Sequence, residues 1–430
     1  MDLRLIILLV VFSPVLSAQD GTAARDDDWG DDWDKEESAE MSLHGFIEAG
    51  YGGRLQNDPV VGRSTTLGEI RFRGETEYAR DRWSLALKAD LYADDVESTV
   101  NAQVRELALM FAPARNADMK FGRQIMTWGT GDFLFLNDLF PKDFVSFFSG
   151  RDDEYLKAPS NSLRVSVFGK TVNVDLVWTP VFAPDDYLNG ERFSFFSAMA
   201  GGIVAPDPPL AGKKPARDLA NSELAARLYK TVKSVEYAGY LYVGFWKQPL
   251  GTSAQQVPFF PRLSVYGASV RWPAVSGLAN IEIAYFDSRN DRSGADPMIP
   301  NSQLRLLFGY EKELVARLSA GLQLYGEWTL QHGRLLQNSL TPQFEPKHLR
   351  TLLTTRLSYR DERDNWQYSL FVFFSPSDSD YYLRPHLRYR MNDSWSFIGG
   401  ANLFGGDKPY TVFGQLEDNT NAFVRARYSF

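Results

Sequence analysis

Arginines recur at even spacings in this chain: Arg71 and Arg73; Arg350 and Arg356; Arg384, Arg388 and Arg390; Arg425 and Arg427. A guanidinium stays charged at any physiological pH and meets a carboxylate or phosphate through two parallel N–H bonds. On an extended strand, residues two apart stand on one face. The spacing therefore suits repeated weak anion binding along a wall rather than covalent chemistry. Catalysis has little to work with. The four histidines, His44, His332, His348 and His386, show no metal-pair spacing. No nucleophile elbow, phosphate loop or dinucleotide fingerprint is present. A Ser-His-Asp site assembled across strands at a rim is the one enzymatic reading left. Cysteine is absent, so there are no disulfides and no thiolate ligands. No metal and no cofactor are expected.

The arginines lie in segments that alternate. In Glu69–Tyr78, Ile70, Phe72, Thr76 and Tyr78 share one parity, and Glu69, Arg71, Arg73, Glu75 and Glu77 the other. A helix would smear these around its axis; a strand sorts them into an apolar and a charged face. Trp83–Leu91, Arg317–Trp328, Leu349–Tyr359 and Tyr381–Tyr389 behave alike. These runs exceed the five or six residues usual in soluble sandwiches. Aromatic residues mark their ends: Tyr78 and Trp83, Tyr359 and Trp366, Tyr389 and Trp395, with Trp128, Trp178 and Trp246 where strands meet long loops. Such girdles belong to transmembrane barrels. Mean hydropathy is negative, which does not count against a barrel, because only alternate residues meet lipid.

Met1–Ala18 reads as a cleaved export signal: Arg4, an apolar run from Leu5 to Phe12, Pro14, then Ser17 and Ala18. Residues 19–42 include Asp26–Glu40, DDDWGDDWDKEESAE, which cannot bury a core and reads as a flexible acidic periplasmic lead-in. The other reading gives its carboxylates a Ca²⁺, or Trp29 and Trp33 a partner. This stretch and the outer loops carry much of the acid behind the net charge of −8.

From residue 43 to 430, short connections near 79–82, 113–118, 169–171, 233–236, 273–278, 312–316, 360–365 and 391–394 alternate with long ones. The expected fold is all-β: a transmembrane antiparallel barrel of about 18 strands (16–18), both termini periplasmic, in the outer membrane of a Gram-negative bacterium. Arg105–Ala112 and Val235–Trp246 have ambiguous parity. The last strand, Ala422–Phe430, alternates and ends in Phe430, the kind of ending that outer-membrane assembly machinery reads. Membrane lipid is a further partner, and no nucleic acid is expected.

Phe121–Asp143, FGRQIMTWGTGDFLFLNDLFPKD, resembles the GRQ…WG…ND…P.D segment of porin-like outer-membrane proteins related to the alginate-export family. Asn402–Phe430 resembles the closing loop and strand of the same group. Together they cover about an eighth of the chain. The resemblance implies a monomeric channel of 18 or so strands for passive diffusion of anionic molecules.

If apolar parity faces lipid, the other parity lines the lumen. It contributes Arg71, Arg73, Arg305, Arg317, Arg350, Arg356, Arg384, Arg388, Arg390, Arg425 and Arg427. In a closed barrel the last strand adjoins the first, so most of these form one wall, a ladder that draws small anionic solutes or an anionic oligosaccharide inward. Glu69, Glu75, Glu77, Asp90, Glu282, Glu311 and Glu327 face inward too, so a balanced, weakly selective lumen is the other outcome. Gly129–Ser162 is too apolar for a solvated loop. It is expected to fold inward as a constriction, its charged cluster Arg151, Asp152, Asp153, Glu154 and Lys157 near the eyelet; the other possibility packs it outside against a partner. Ala183–Leu219, rich in proline, reads as a mobile external lid. The alternative function is a sleeve holding a partner such as a cytochrome across the membrane, which needs an empty lumen.

Overall fold

The computed structural model describes Ser42–Phe430; the signal and most of the acidic segment lie outside the described residues. Eighteen strands form one antiparallel sheet. The first seven are β1 (Ser42–Arg54), β2 (Thr65–Arg80), β3 (Trp83–Asp94), β4 (Thr99–Ala114), β5 (Ala117–Gln124), β6 (Ser160–Phe168) and β7 (Asn173–Thr179). Then come β8 (Glu223–Val232), β9 (Val235–Phe245), β10 (Arg262–Ala274), β11 (Gly277–Ser288), β12 (Gln303–Val315) and β13 (Leu318–Thr329). The last are β14 (Leu349–Arg360), β15 (Trp366–Ser375), β16 (Asp380–Arg390), β17 (Trp395–Gly406) and β18 (Asn421–Ser429). Each pairs with its neighbour, and β18 closes onto β1 from Phe46↔Ser429 to Arg54↔Asn421. The cylinder has no free edge, so its backbone groups pair within the sheet.

The turns 81–82, 115–116, 169–172, 233–234, 275–276, 316–317, 361–365 and 391–394 gather at one end, with Ser42 and Ser429. The other nine connections gather at the opposite end; seven of them are long, while 95–98 and 376–379 have only four residues each. The expected count is met, and the alternation of short and long holds except at those two, where the strands run on into what the sequence suggested was loop.

Parity sorts side chains as a pleated strand must. Ile70, Phe72, Leu228, Tyr266, Leu324 and Val424 stand exposed on the outer face. Glu48, Arg71, Arg73, Asp90, Glu282 and Arg425 are buried inside. An apolar exterior this continuous cannot face water. Aromatic rings collar its turn end: Trp366 lies 4.3 Å from Tyr389, Trp395 5.2 Å from Tyr428 and Tyr78 5.4 Å from Trp83. At the loop end, Trp178 is exposed, but Trp128 and Trp246 do not join a girdle. Trp246 packs on Phe286 and Trp128 on Phe140 inside the barrel, because the chain turns inward after each strand.

The two ambiguous stretches have different causes. In β4 a bulge pairs Lys88 with Glu106 and Ala89 with Val104, leaving Arg105 without an opposite number. The extra residue reverses the parity beyond it. In β9 the parity is regular, but Tyr240 and Tyr242 face inward and are buried. Both faces of that strand are apolar because something apolar fills the lumen beside it.

Candidate functional site

The filler is the segment 125–159 between β5 and β6, which crosses the interior and touches the wall almost all the way round. Its first arm hangs on Glu282. That buried carboxylate accepts hydrogen bonds from the Thr130 N–H, from Thr130 Oγ1 at 2.7 Å, from the Gly131 N–H at 2.9 Å and from Asn137 Nδ2 at 2.9 Å. Gly267 in β10 leaves the space in which Asn137 sits; a Cβ there would collide with its amide. The Asp132 N–H donates to Gln323 at 2.9 Å, and Phe133 packs edge-on against Phe371 at 4.8 Å.

Helix α1 (Phe144–Ser149) is capped by Asp143, which accepts from the Ser146 N–H at 2.7 Å. It presses Phe147 and Phe148 onto Tyr382 and Phe404. Gly150 ends it with φ 87° against the Phe423 ring, where a side chain has neither room nor a relaxed backbone.

The second arm is held by charge. Arg151 meets Glu69 and Asp94, each at 2.8 Å. Asp152 lies 3.3 Å from Arg388, 3.4 Å from Arg425 and 3.1 Å from Arg427. Asp153 pairs with Arg384 and Glu154 with Arg73. The Tyr155 hydroxyl donates to Asp90 at 3.0 Å and accepts from Arg73 at 2.5 Å, while Arg71 and Arg105 stack on its ring at 4.4 and 4.5 Å. Arg105 also donates to the carbonyls of Glu154 and Lys157. The sequence reading missed Arg105 because the bulge hides its orientation; Lys157 contributes its backbone to this latch.

The wall arginines are therefore partnered rather than a ladder of unmatched charges. Arg71 meets Glu69 and Asp90 at 2.6 and 2.7 Å, and Arg73 meets Asp90 at 2.6 Å. Glu48 pairs with Arg425 and Arg427 at 3.1 and 2.8 Å. Arg305 lies 3.2 Å from Glu327, and Arg350 3.2 Å from Asp378. Arg356 bridges Asp132 and Glu311, both at 3.0 Å. Two expected wall residues stand elsewhere. Arg317 is exposed in the turn after β12, with φ 70° and its N–H on Glu313, because the strand stops at Val315. Arg390 is the exposed last residue of β16, at the turn-end rim.

A polar cavity of about 380 Å³ opens between the first arm and the β10–β14 wall, lined by Asp132, Lys157, Arg271, Asn280, Glu311 and Arg356. Its charges are mixed in sign. Burial raises the Asp132 carboxyl; Arg356 opposes that, and Glu311 and Asp153 add to it.

The segment 180–222 does not behave as a mobile lid. Arg192, 2% exposed, donates to the Thr66 carbonyl at 2.8 Å and pairs with Asp94 and with Glu97 at 2.9 Å. Ser194 donates to Asp58 at 2.8 Å, and Asn419 to the Ser194 carbonyl at 3.0 Å. These bonds dock the segment across the loop end. It also joins the constriction: the Asp186 N–H reaches the Lys142 carbonyl at 2.8 Å, the Phe144 N–H the Asp186 carbonyl at 3.0 Å, and the Lys142 N–H the Asp185 carboxylate at 2.8 Å.

Burial pushes the Asp185 carboxyl up to about 6, against the pull of the Lys142 ammonium. A raised folded-state value means that the folded form holds the proton more tightly. Burial, with Asp143 and Asp185 beside it, pushes the neighbouring Asp186 carboxyl up further, to about 7. The junction is therefore most stable below about pH 4 and loses stability as pH climbs toward about 7. The amide protection factors of Phe144 and Asp186 should fall several-fold between acid and neutral pH; D185N should reduce that change and D185N with D186N should flatten it. Equal pH dependence in the double variant would show that another group is responsible.

No family model and no curated protein sequence matches the chain. Among solved structures, Pseudomonas aeruginosa OccK2 in complex with glucuronate matches with TM-score 0.53 and 9% identity, over 91% of this chain and 98% of that one. Acinetobacter baumannii OccAB1 matches with TM-score 0.53 and 9% identity, over 92% and 98%. At such identity the likeness is one of fold: a closed barrel shared along almost the whole of each chain.

Proposed function

We propose that this chain is an outer-membrane channel for passive diffusion, favouring small solutes or oligomers that carry a carboxylate. The supporting observation is a closed 18-stranded cylinder, apolar outside, whose charged interior is narrowed by its own loop. Guanidinium groups at several depths of β2, β14, β16 and β18 offer successive weak sites for an anion. OccK2, similar in fold, was solved with glucuronate, a carboxylate solute. The Phe121–Asp143 segment keeps kinship with alginate-export porins within this reading, and Phe430 is its signal to the assembly machinery. The sleeve reading has less to support it, since the loop occupies the room that a partner protein would need.

Planar-bilayer recording tests the proposal. The purified chain should conduct alone, its reversal potential in a KCl gradient should lean toward chloride, and glucuronate should compete with the current. A silent barrel, or a cation-leaning one indifferent to glucuronate, would count against it.

The membrane part has its own test. Leu324 projects from the middle of the β13 outer face, and L324R should cost about 2–4 kcal/mol of barrel stability in bilayers. Arginine at the inward, solvated Ser319 should stay within about 0.5 kcal/mol. Urea unfolding in vesicles measures both.

A further inference from the structure

Asp152 sits where an incoming carboxylate would be received. Arg388, Arg425 and Arg427 converge on it at 3.1–3.4 Å. Guanidinium–carboxylate bonds of good geometry run about 2.7–2.9 Å, so none of the three makes a close fork with Asp152; the wall carboxylate Glu48 takes Arg427 Nε at 2.8 Å and shares Arg425 at 3.1 Å. Donors are left over. Among the described residues, the Nε atoms of Arg384, Arg388 and Arg425 have no hydrogen-bond partner, and the Arg425 side chain is 2% exposed. A buried donor without a partner is unfavourable unless something comes to fill it. Arg388, by contrast, is 39% exposed and gives access from the lumen.

Asp152 is weakly seated on its own side. It precedes the short 3₁₀ turn Asp153–Leu156, and its capping contact to the Glu154 N–H is 3.4 Å. Burial would raise its carboxyl, but the guanidinium groups of Arg425, Arg427 and Arg388 outweigh that and hold it below the ordinary carboxylate range. It is a standing anion on the loop that crosses the lumen.

We infer that the Arg388–Arg425–Arg427 cluster is a carboxylate seat, occupied at rest by the loop's own Asp152, which a permeating carboxylate displaces. This rests on the channel reading and adds to it a residue that tunes affinity. The resident carboxylate weakens binding, so a solute passes on instead of being trapped, as conduction requires.

Calorimetry of glucuronate binding to the full chain in detergent decides it, because it does not depend on conduction. D152N keeps a side-chain cap and the shape but removes the competing charge, so it should bind glucuronate about five- to tenfold more tightly than the unaltered chain. R388Q should bind more weakly than the unaltered chain. If D152N does not fold, D152S, which also keeps a capping oxygen, carries the same expectation. Affinity in D152N equal to or below that of the unaltered chain, or no binding by either, overturns the seat. Failure of the channel reading looks different: no current from the unaltered chain, whatever calorimetry finds.

Discussion

R384E combined with R388E should abolish or reverse the proposed anion preference and also raise conductance. Each replacement turns a positive group on the β16 wall negative. It also sets that group against a loop acid, since Arg384 holds Asp153 and Arg388 holds Asp152. Like charges at such distances repel, and the second arm should lift from β16–β18. Reversal potential and unitary conductance are read in one bilayer experiment. R384Q with R388Q separates the two causes: it removes the charge without creating repulsion, so selectivity should weaken with a smaller rise in conductance. If the reversal potential stays where it was in both variants, this wall does not set selectivity.

D90A should be the most destabilising single substitution on the inner wall. Asp90 joins β2 to β3 by accepting from Arg71 and Arg73, and it also takes the Tyr155 hydroxyl. Both arginines are only 2% exposed. Removing Asp90 leaves Arg71 with Glu69 alone and Arg73 with the partly exposed Glu154 alone, so the buried cluster keeps an excess of positive charge, at a cost of about 3 kcal/mol. Y155F loses a single hydroxyl from the same cluster and should cost about 1 kcal/mol. Urea midpoints followed by gel mobility rank the two, and the D90A channel should be noisier because the second arm loses its anchor. Equal midpoints would mean that water replaces the carboxylate and that the latch is not structural.

Most of the cylinder was legible because strand parity reports a difference between two environments. Ile70 and Arg71 are adjacent, and one meets the exterior while the other is buried among carboxylates. Turn lengths were legible for a similar reason: a two-residue connection such as 81–82 leaves only one partner for its strands. Parity failed where the two environments became alike. Tyr240, Tyr382 and Phe404 face inward yet are apolar, since they pack near Trp128, Phe147 and Phe148 of the crossing loop. Arg105 was lost to a bulge, which leaves no mark in composition.

The ion pairs lay beyond sequence reasoning for another reason. Arg384 and Asp153, or Arg427 and Asp152, are more than two hundred residues apart, and only the path of the loop through the lumen brings them together. The wall arginines and the acids of the loop cluster were both singled out, but not that they pair with one another. Of the two lumens left open, a basic ladder and a balanced wall, the ion pairs are nearer the balanced one.

The chain contains no cysteine, so a single introduced thiol can be labelled without ambiguity. Neighbours in β14 and β15 offer the sharpest comparison: Leu357 and Leu370 outward, Ser358 and Ser369 inward. Each would be changed to cysteine, labelled with a small fluorophore and reconstituted in vesicles. Brominated lipid should quench the labels at 357 and 370 and leave those at 358 and 369, while aqueous iodide should do the reverse. If adjacent positions answer to the same quencher, the two faces do not meet different solvents, and the barrel with its watery passage is contradicted.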